Sequence, residues 1–101
     1  YWQTTGPQRA LVSPEAMGSL VITRAGDTLD CRQWQRVIAL PGKLTLRDNE
    51  VYNVTNKLDV YAVEREGSTL TYDGMTLHRV ERPTVECAAA LAKTPLASAL
   101  P

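Results

Sequence analysis

Residues 69–78 read Thr-Leu-Thr-Tyr-Asp-Gly-Met-Thr-Leu-His, and this stretch decides the fold class. Apolar and polar side chains alternate on both sides of Asp73-Gly74, the dipeptide that favours a two-residue type I′ turn. The register set by such a turn places Tyr72 opposite Met75 and the two leucines opposite each other, all on one face. The three threonines and the histidine share the other face. The sequence therefore predicts a β-hairpin with one buried and one solvated face.

Similar short runs recur along the whole chain and are separated by turn residues. Six to eight short strands fit between these turns, at intervals of about 8–12 residues. This spacing predicts a mainly β domain, a small antiparallel barrel or sandwich. Residues 83–93 begin with proline and are rich in alanine, so they predict a short C-terminal helix. We expect the 101 residues to form a single domain with residues 94–101 as a frayed tail.

Residues 30–40 admit two interpretations. Read as a helix, the segment aligns Cys31, Trp34, Val37 and Ile38 on one side. Read as a strand, it places Trp34, Arg36, Ile38 and Leu40 on one face. The flanking β-branched residues and the turn at Pro41-Gly42 favour the strand, and the pattern leaves the helix open.

Cys31 and Cys87 are the two cysteines of the chain. An even number in a small domain, outside any metal-ligand spacing, indicates one structural disulfide and an oxidising compartment. Closing a loop of about 57 residues contributes on the order of 4 kcal/mol in the chain-entropy model. The alternative is a pair of buried thiols in a cytosolic protein. If bonded, the cysteines would clamp the last helix against the β-core.

The charge pattern excludes some partners. The chain carries 11 basic and 11 acidic side chains with a net charge of zero, and no basic run or stripe. Nucleic-acid binding therefore has no electrostatic support. No stretch approaches the roughly 20 apolar residues of a membrane span. We interpret the start at Tyr1, without Met or a signal segment, as a mature fragment whose targeting segment lies upstream.

The sequence offers little catalytic chemistry. His78 is the single histidine, and the hairpin register places it on the solvated face. A hydrolytic triad needs a nucleophile, a base and an orienting group, and a zinc site needs three or four ligands. The carboxylate pairs Asp27/Asp30 and Glu64/Glu66 lie in turns or along one strand edge, where solvation is the usual role. We expect no enzyme activity, no cofactor and no metal.

The run Arg32-Gln33-Trp34-Gln35-Arg36 is the most distinctive in the chain. Trp and Arg dominate binding hot spots, so Arg32, Trp34 and Arg36 form a candidate interaction patch. The other interpretation, which the pattern alone favours, places Trp34 in the core and the polar residues at a solvated edge. The three tyrosines at positions 52, 61 and 72 would either line a barrel mouth or close a small core.

Several runs resemble the YedD-like lipoproteins of enteric bacteria. The most specific is GDTLDCRQWQRVIA at residues 26–39, and others are YWQT at 1–4, GPQ at 6–8, LVSPEA at 11–16, PGKLTL at 41–46, YDGMT at 72–76, RPT at 82–84 and ECAAAL at 86–91. The resemblance implies a lipid-modified cysteine upstream of Tyr1. It further implies a domain tethered in the bacterial envelope and facing the periplasm, with the outer membrane favoured. It strengthens the disulfide inference and carries no catalytic residue across.

Three functions compete at this point, and the oligomeric state stays open. The first is a non-enzymatic envelope lipoprotein that binds another envelope protein through the patch around Trp34. The second is a small-ligand binder with a lipocalin-like barrel, suggested by Tyr1-Trp2 and by the room inside a barrel of about eight strands. The third is an inhibitor of a hydrolase such as lysozyme, which rests on fold-level analogy alone.

Overall fold

The computed structural model describes residues 1–6, 8–9, 11, 13 and 15–94. These residues form eight antiparallel strands closed into a barrel in sequence order, with β1 pairing β8. One helix follows the last strand. The bounds are β1 Trp2–Gln3, β2 Met17–Ile22, β3 Asp27–Trp34, β4 Arg36–Arg47, β5 Glu50–Thr55, β6 Val60–Glu66, β7 Thr69–Tyr72, β8 Met75–Arg79 and α1 Val85–Lys93. The predicted class, a small antiparallel barrel with a short C-terminal helix, is confirmed.

The β7–β8 hairpin has the predicted register. Tyr72 lies opposite Met75 and Leu70 opposite Leu77, and all four side chains are buried. Asp73 and Gly74 have φ of 48° and 73°, as a type I′ turn requires. The local turn and the apolar pattern therefore specify the same pairing.

Residues 30–40 are extended, and the helical interpretation of this segment is wrong. The segment is also not one continuous strand, because the chain reverses at Gln35, where φ is 64°. β3 ends at Trp34 and β4 begins at Arg36, and these two residues lie opposite each other. A reversal over one glutamine has none of the Gly, Asn or Pro signals that mark most turns. The residues predicted to share a face, Trp34, Arg36, Ile38 and Leu40, still do so. Residues paired across an antiparallel ladder point to the same side of the sheet, so the reversal keeps them together.

The barrel interior is packed with side chains. Its apolar part joins Trp2, Leu20, Leu70, Tyr72, Met75 and Leu77. These residues come from β1, β2, β7 and β8, and partly buried Leu11, Ile22, Tyr61 and Val63 pack against them. A second cluster lies outside the barrel wall, where Val21, Leu29 and Cys31 contact Cys87 of α1. Alternation along β2 separates the two clusters, since Leu20 points into the barrel and its neighbour Val21 points outward.

The C-terminal helix is attached by a disulfide. Cys31 in β3 and Cys87 in α1 are bonded, with Cα atoms 6.1 Å apart, which confirms the predicted pairing. Thr84 caps the helix by accepting a hydrogen bond from the Cys87 N–H, at 3.1 Å. Val85 is 82% exposed and lies away from the face of the helix that buries Cys87. Of the predicted tail, residues 95–101 lie outside the described residues.

Candidate functional site

The three residues of the candidate patch share one face of the β3–β4 hairpin but have different surroundings. Arg32 lies opposite Ile38, and Trp34 lies opposite Arg36. Arg32 points into the barrel, where it meets two carboxylates. Trp34 and Arg36 lie beyond the barrel rim and are exposed, Trp34 by 42%. The structure therefore divides the patch into one internal arginine and an exposed Trp-Arg pair.

Arg32 is held by ion pairs. Its Nε and Nη2 atoms donate to the two carboxylate oxygens of Asp30 at 2.7 and 3.1 Å, and Nη2 also lies 3.0 Å from Asp73 Oδ2. Burial alone would lower the pKa of Arg32, but the hydrogen bonds and charges of Asp30 and Asp73 outweigh burial and raise the pKa. Bidentate geometry of this kind fixes a guanidinium firmly. Arg32 is thus a permanent cation whose charge is compensated inside the molecule.

The same carboxylate belongs to a longer polar network in the barrel interior. The Tyr72 hydroxyl donates to Asp30 Oδ2 at 2.7 Å and accepts from Asn53 Nδ2 at 2.8 Å, while Thr28 donates to the Asn53 amide oxygen. Burial raises the pKa of the Tyr72 phenol well above its ordinary value, and the adjacent Asp30 charge raises it further. Buried polar groups that satisfy one another in this way specify a single core arrangement. The network therefore holds the barrel together.

The side-chain filling limits where a ligand could bind. Leu20, Tyr72, Met75 and Leu77, each 0–1% exposed, occupy the middle of the barrel together with the polar network. Of the two alternatives for the tyrosines, Tyr72 thus closes the core, and its hydroxyl is buried. In the part of the chain that the structure describes, two recesses lie at the two ends of the barrel, on either side of this packed middle.

The end that carries Trp34 has a recess of about 600 Å³, which we call the Trp34 pocket. It is lined by Leu11, Ala16, Arg32, Trp34, Gln35, Arg36 and Ile38. The sequence pattern alone favoured a core position for Trp34, and that interpretation is wrong. Ile38 is 43% exposed beside it. The result is an aromatic and apolar surface with one exposed arginine, a composition typical of interface centres.

The β3–β4 hairpin also extends past its neighbour on one side. In the described residues, β4 pairs with β5 only over Gly42–Arg47, whereas Arg36–Lys43 pairs with β3. The Asn56 N–H donates to the Pro41 carbonyl at 2.8 Å, where the contact with the β5 side ends. Residues 36–40 thus form an edge strand, and edge strands are templates for pairing with another chain.

The direction of the backbone groups along this edge follows from two hydrogen bonds. The Leu44 N–H donates to Gly26 on the β3 side, while the Pro41 carbonyl accepts from Asn56 on the β5 side. Even-numbered residues of β4 therefore bond toward β3, and odd-numbered ones point away from it. Val37 and Ala39 consequently point their N–H and C=O groups to the side that β5 leaves unpaired, and α1 packs on the outer face of β4 near Ala39.

Sequence reasoning found Trp34 and Arg36 but missed Ile38 and the backbone edge at Val37. One signal was available, since proline in a sheet is confined to edges and strand starts, and Pro41 lies inside β4. Among the described residues, no three His, Cys, Asp or Glu side chains are grouped to hold a metal ion. Within the same residues, no helix has the length and hydropathy needed to cross a membrane.

Comparison with known proteins agrees with this architecture. A protein-family model described as "Bacterial lipocalin LPS transport optimiser YedD" matches residues 1–91. The uncharacterised lipoprotein YedD of Escherichia coli K12 is 69% identical over 101 residues, which cover all of this chain and 74% of the relative. The protein of the same name from Salmonella typhimurium is 71% identical over 96 residues, 95% of this chain and 68% of the relative. A crystal structure of a lipoprotein YedD from Klebsiella pneumoniae is 66% identical, with a TM-score of 0.90 over 91% of this chain and 79% of that one.

Proposed function

Because this chain belongs to the YedD family, we propose that it is a non-enzymatic, lipid-anchored accessory of lipopolysaccharide transport that binds a protein of the transport machinery. The family description supplies the process, and the relatives, named as lipoproteins of Gram-negative bacteria, imply attachment to the envelope. We place the domain on the periplasmic side of the outer membrane, to which lipopolysaccharide is delivered.

The edge of β4 beside the Trp34 pocket is the observation that carries the binding proposal. Val37 and Ala39 offer outward N–H and C=O groups, and Trp34 and Ile38 lie on the adjoining inner face at 42% and 43% exposure. An extended segment that adds to a sheet edge gains main-chain hydrogen bonds, while side-chain pockets give the specificity. We therefore expect the partner to contribute a β-strand whose inward side chains enter the Trp34 pocket.

Charge further defines the partner segment. Arg36 is exposed and forms no ion pair with any described residue. Arg32 in the same pocket is compensated by Asp30 and Asp73. Glu15 and Glu86 line the adjoining recess but hold Arg36 in no ion pair, so its guanidinium is available to an acidic residue near the end of an apolar partner strand. Mutation of Arg36 should therefore slow association and change its salt dependence.

A photoreactive amino acid at Val37 tests this proposal in the intact envelope. We expect a discrete crosslink to a lipopolysaccharide-transport protein, and we expect Trp34→Ala to abolish it and Arg36→Ala to weaken it. The same probe at Thr71, an exposed position on β7, is the matched control and should give no such product. A crosslink to that machinery from Thr71 but not from Val37, or one that persists in both variants, would refute the proposed surface.

Inhibition of a hydrolase is the weaker candidate, because fold analogy is its only support. An assay of lysozyme with an excess of the protein separates the two ideas. We expect full lysozyme activity.

A further inference from the structure

The end of the barrel opposite the Trp34 pocket holds a second recess, of about 580 Å³. We call it the arginine recess. Its wall is formed by Trp2, Ile22, Leu44, Val51, Val63 and Leu70, and its polar rim includes Arg24, Arg65 and Arg79. The size lies within the range of pockets that take small ligands. The wall is therefore apolar and the rim basic.

The strand register directs two of these arginines toward the recess. Arg65 lies opposite Leu70 on β7, and Arg79 lies opposite Trp2 on β1. Paired residues of an antiparallel ladder share a face, and Leu70 and Trp2 are buried inside the barrel. Arg65 is fixed further, because its Nε donates to the Gly67 carbonyl at 3.0 Å and its guanidinium lies 5.4 Å from the centroid of the Trp2 ring.

The charge of this rim is not balanced. No carboxylate lines the recess, and among the described residues none of the three arginines forms an ion pair. Glu64 and Glu66 alternate with Arg65 along β6, so they lie on the outer face of the barrel. Arg32 at the other end is different, because it meets two carboxylates. Three guanidinium groups without carboxylate partners lie above an apolar wall. Such a site favours a ligand that combines an anionic group with an apolar body.

The strands β5 and β6 are unpaired where they border the recess. The β5–β6 ladder runs from Val54 and Val60 to Tyr52 and Ala62, and the described strands are not paired beyond that point. The next inward residues, Val51 and Val63, both line the recess. An apolar chain could therefore enter between the two strands without breaking a ladder hydrogen bond.

We propose that the arginine recess binds an amphiphile with one alkyl or acyl chain and a phosphate group. The chain packs against the apolar wall, and the phosphate is bound by Arg65 and Arg79, with Arg24 adding charge. Guanidinium groups suit phosphate because their forked donors bind two oxygens at once. This function is separate from the proposed protein binding, which uses the opposite end of the barrel.

Tryptophan fluorescence tests the proposal on the 101-residue chain. In a Trp34→Phe background the emission comes from Trp2 alone, and Trp2 lines the recess. We expect a saturable change on addition of dodecyl phosphate below its micelle concentration, with a much weaker response to dodecyl maltoside and to inorganic phosphate. Arg65→Gln and Arg79→Gln should each weaken binding about tenfold, the loss of one charge-assisted hydrogen bond.

The controls separate this site from general charge effects. Arg82→Gln removes one exposed arginine that does not line the recess and should leave the affinity unchanged. Val51→Asp places a carboxylate in the wall and should weaken dodecyl phosphate binding at least tenfold.

Any one of the following results would overturn the proposal: no saturable response, equal affinity for the maltoside, or equal losses from Arg82→Gln and Arg65→Gln. Binding to phosphatidylglycerol vesicles without binding to monomeric dodecyl phosphate would also overturn it, since it would indicate attraction to a membrane surface. Crosslinking at Val37 should persist in Arg65→Gln, so the two proposals fail independently.

Discussion

Replacing Tyr72 by phenylalanine tests whether the internal polar network stabilises the barrel. The substitution keeps the ring and removes the hydroxyl, which donates to Asp30 at 2.7 Å and accepts from Asn53 at 2.8 Å. A hydrogen bond to a charged group contributes about 1.5–3 kcal/mol, and an unsatisfied buried donor costs about 1–3 kcal/mol. We therefore expect the free energy of unfolding to fall by about 3 kcal/mol.

Chemical denaturation and calorimetry at neutral pH measure this loss. For a domain of this size, about 3 kcal/mol corresponds to a decrease in Tm of roughly 15 °C. Tyr52→Phe is the matched control, because the Tyr52 hydroxyl makes a comparable bond of 2.6 Å to Glu50 but does so at the surface. We expect the control to change stability by less than about 0.5 kcal/mol. A loss at Tyr72 no larger than the loss at Tyr52 would refute the structural role of the network.

Three other predictions concern stability. Reduction of the Cys31–Cys87 bond should lower the free energy of unfolding by on the order of 4 kcal/mol and release α1, which hydrogen exchange would detect; an unchanged melting curve would mean that the bond clamps nothing. Burial raises the pKa of the Tyr72 phenol in the folded state. The stability contributed by the protonated phenol is therefore fully present below the pKa of about 10 that tyrosine has in the unfolded chain, and it is lost as pH rises through the folded-state pKa. Unfolding curves between about pH 9 and 12 should therefore lose stability less steeply in Tyr72→Phe, and identical slopes would contradict this. Gly42→Ala should cost at least about 2 kcal/mol in denaturation, because the new Cβ would lie 2.6 Å from the Val54 carbonyl oxygen; a cost below about 0.5 kcal/mol would show that the wall yields there.

Local signals in the sequence were sufficient where they agreed with each other. Asp73-Gly74 and the alternation around it predicted the β7–β8 register, because the turn type and the buried face impose the same pairing. The helix was predictable from its proline, threonine and alanine residues, and the disulfide from the cysteine count. Each of these features depends on a short segment or on a pair of residues.

Features that depend on the closed barrel were not predictable in this way. The reversal at Gln35 depends on one residue with positive φ and has no compositional signal. The sequence pattern predicts a solvated carboxylate at Asp30, yet Asp30 is 2% exposed, since barrel closure brings Arg32 and Tyr72 to it. Trp34 follows a core pattern but lies beyond the rim, because the hairpin is longer than its neighbours. Strand length relative to the barrel is a global property that a local pattern does not encode.

The arginine recess was missed for a similar reason. Its three arginines come from distant parts of the sequence, and only the strand register brings them to one end. An alternation search that tracks arginines in line with buried residues would have found Arg65 after Val63 and Arg79 after Leu77. Net charge did not reveal it, because the chain as a whole is neutral.

The most direct test of partner binding at the open edge of β4 is the effect of removing one backbone donor. Val37→Pro deletes the outward N–H without breaking a hydrogen bond to β3, while Val37→Thr alters the side chain and keeps that N–H. We predict that recovery of the lipopolysaccharide-transport partner from the envelope falls at least tenfold for Val37→Pro and is retained for Val37→Thr, with similar Tm values for both. Equal recovery with both variants would contradict strand addition at this edge.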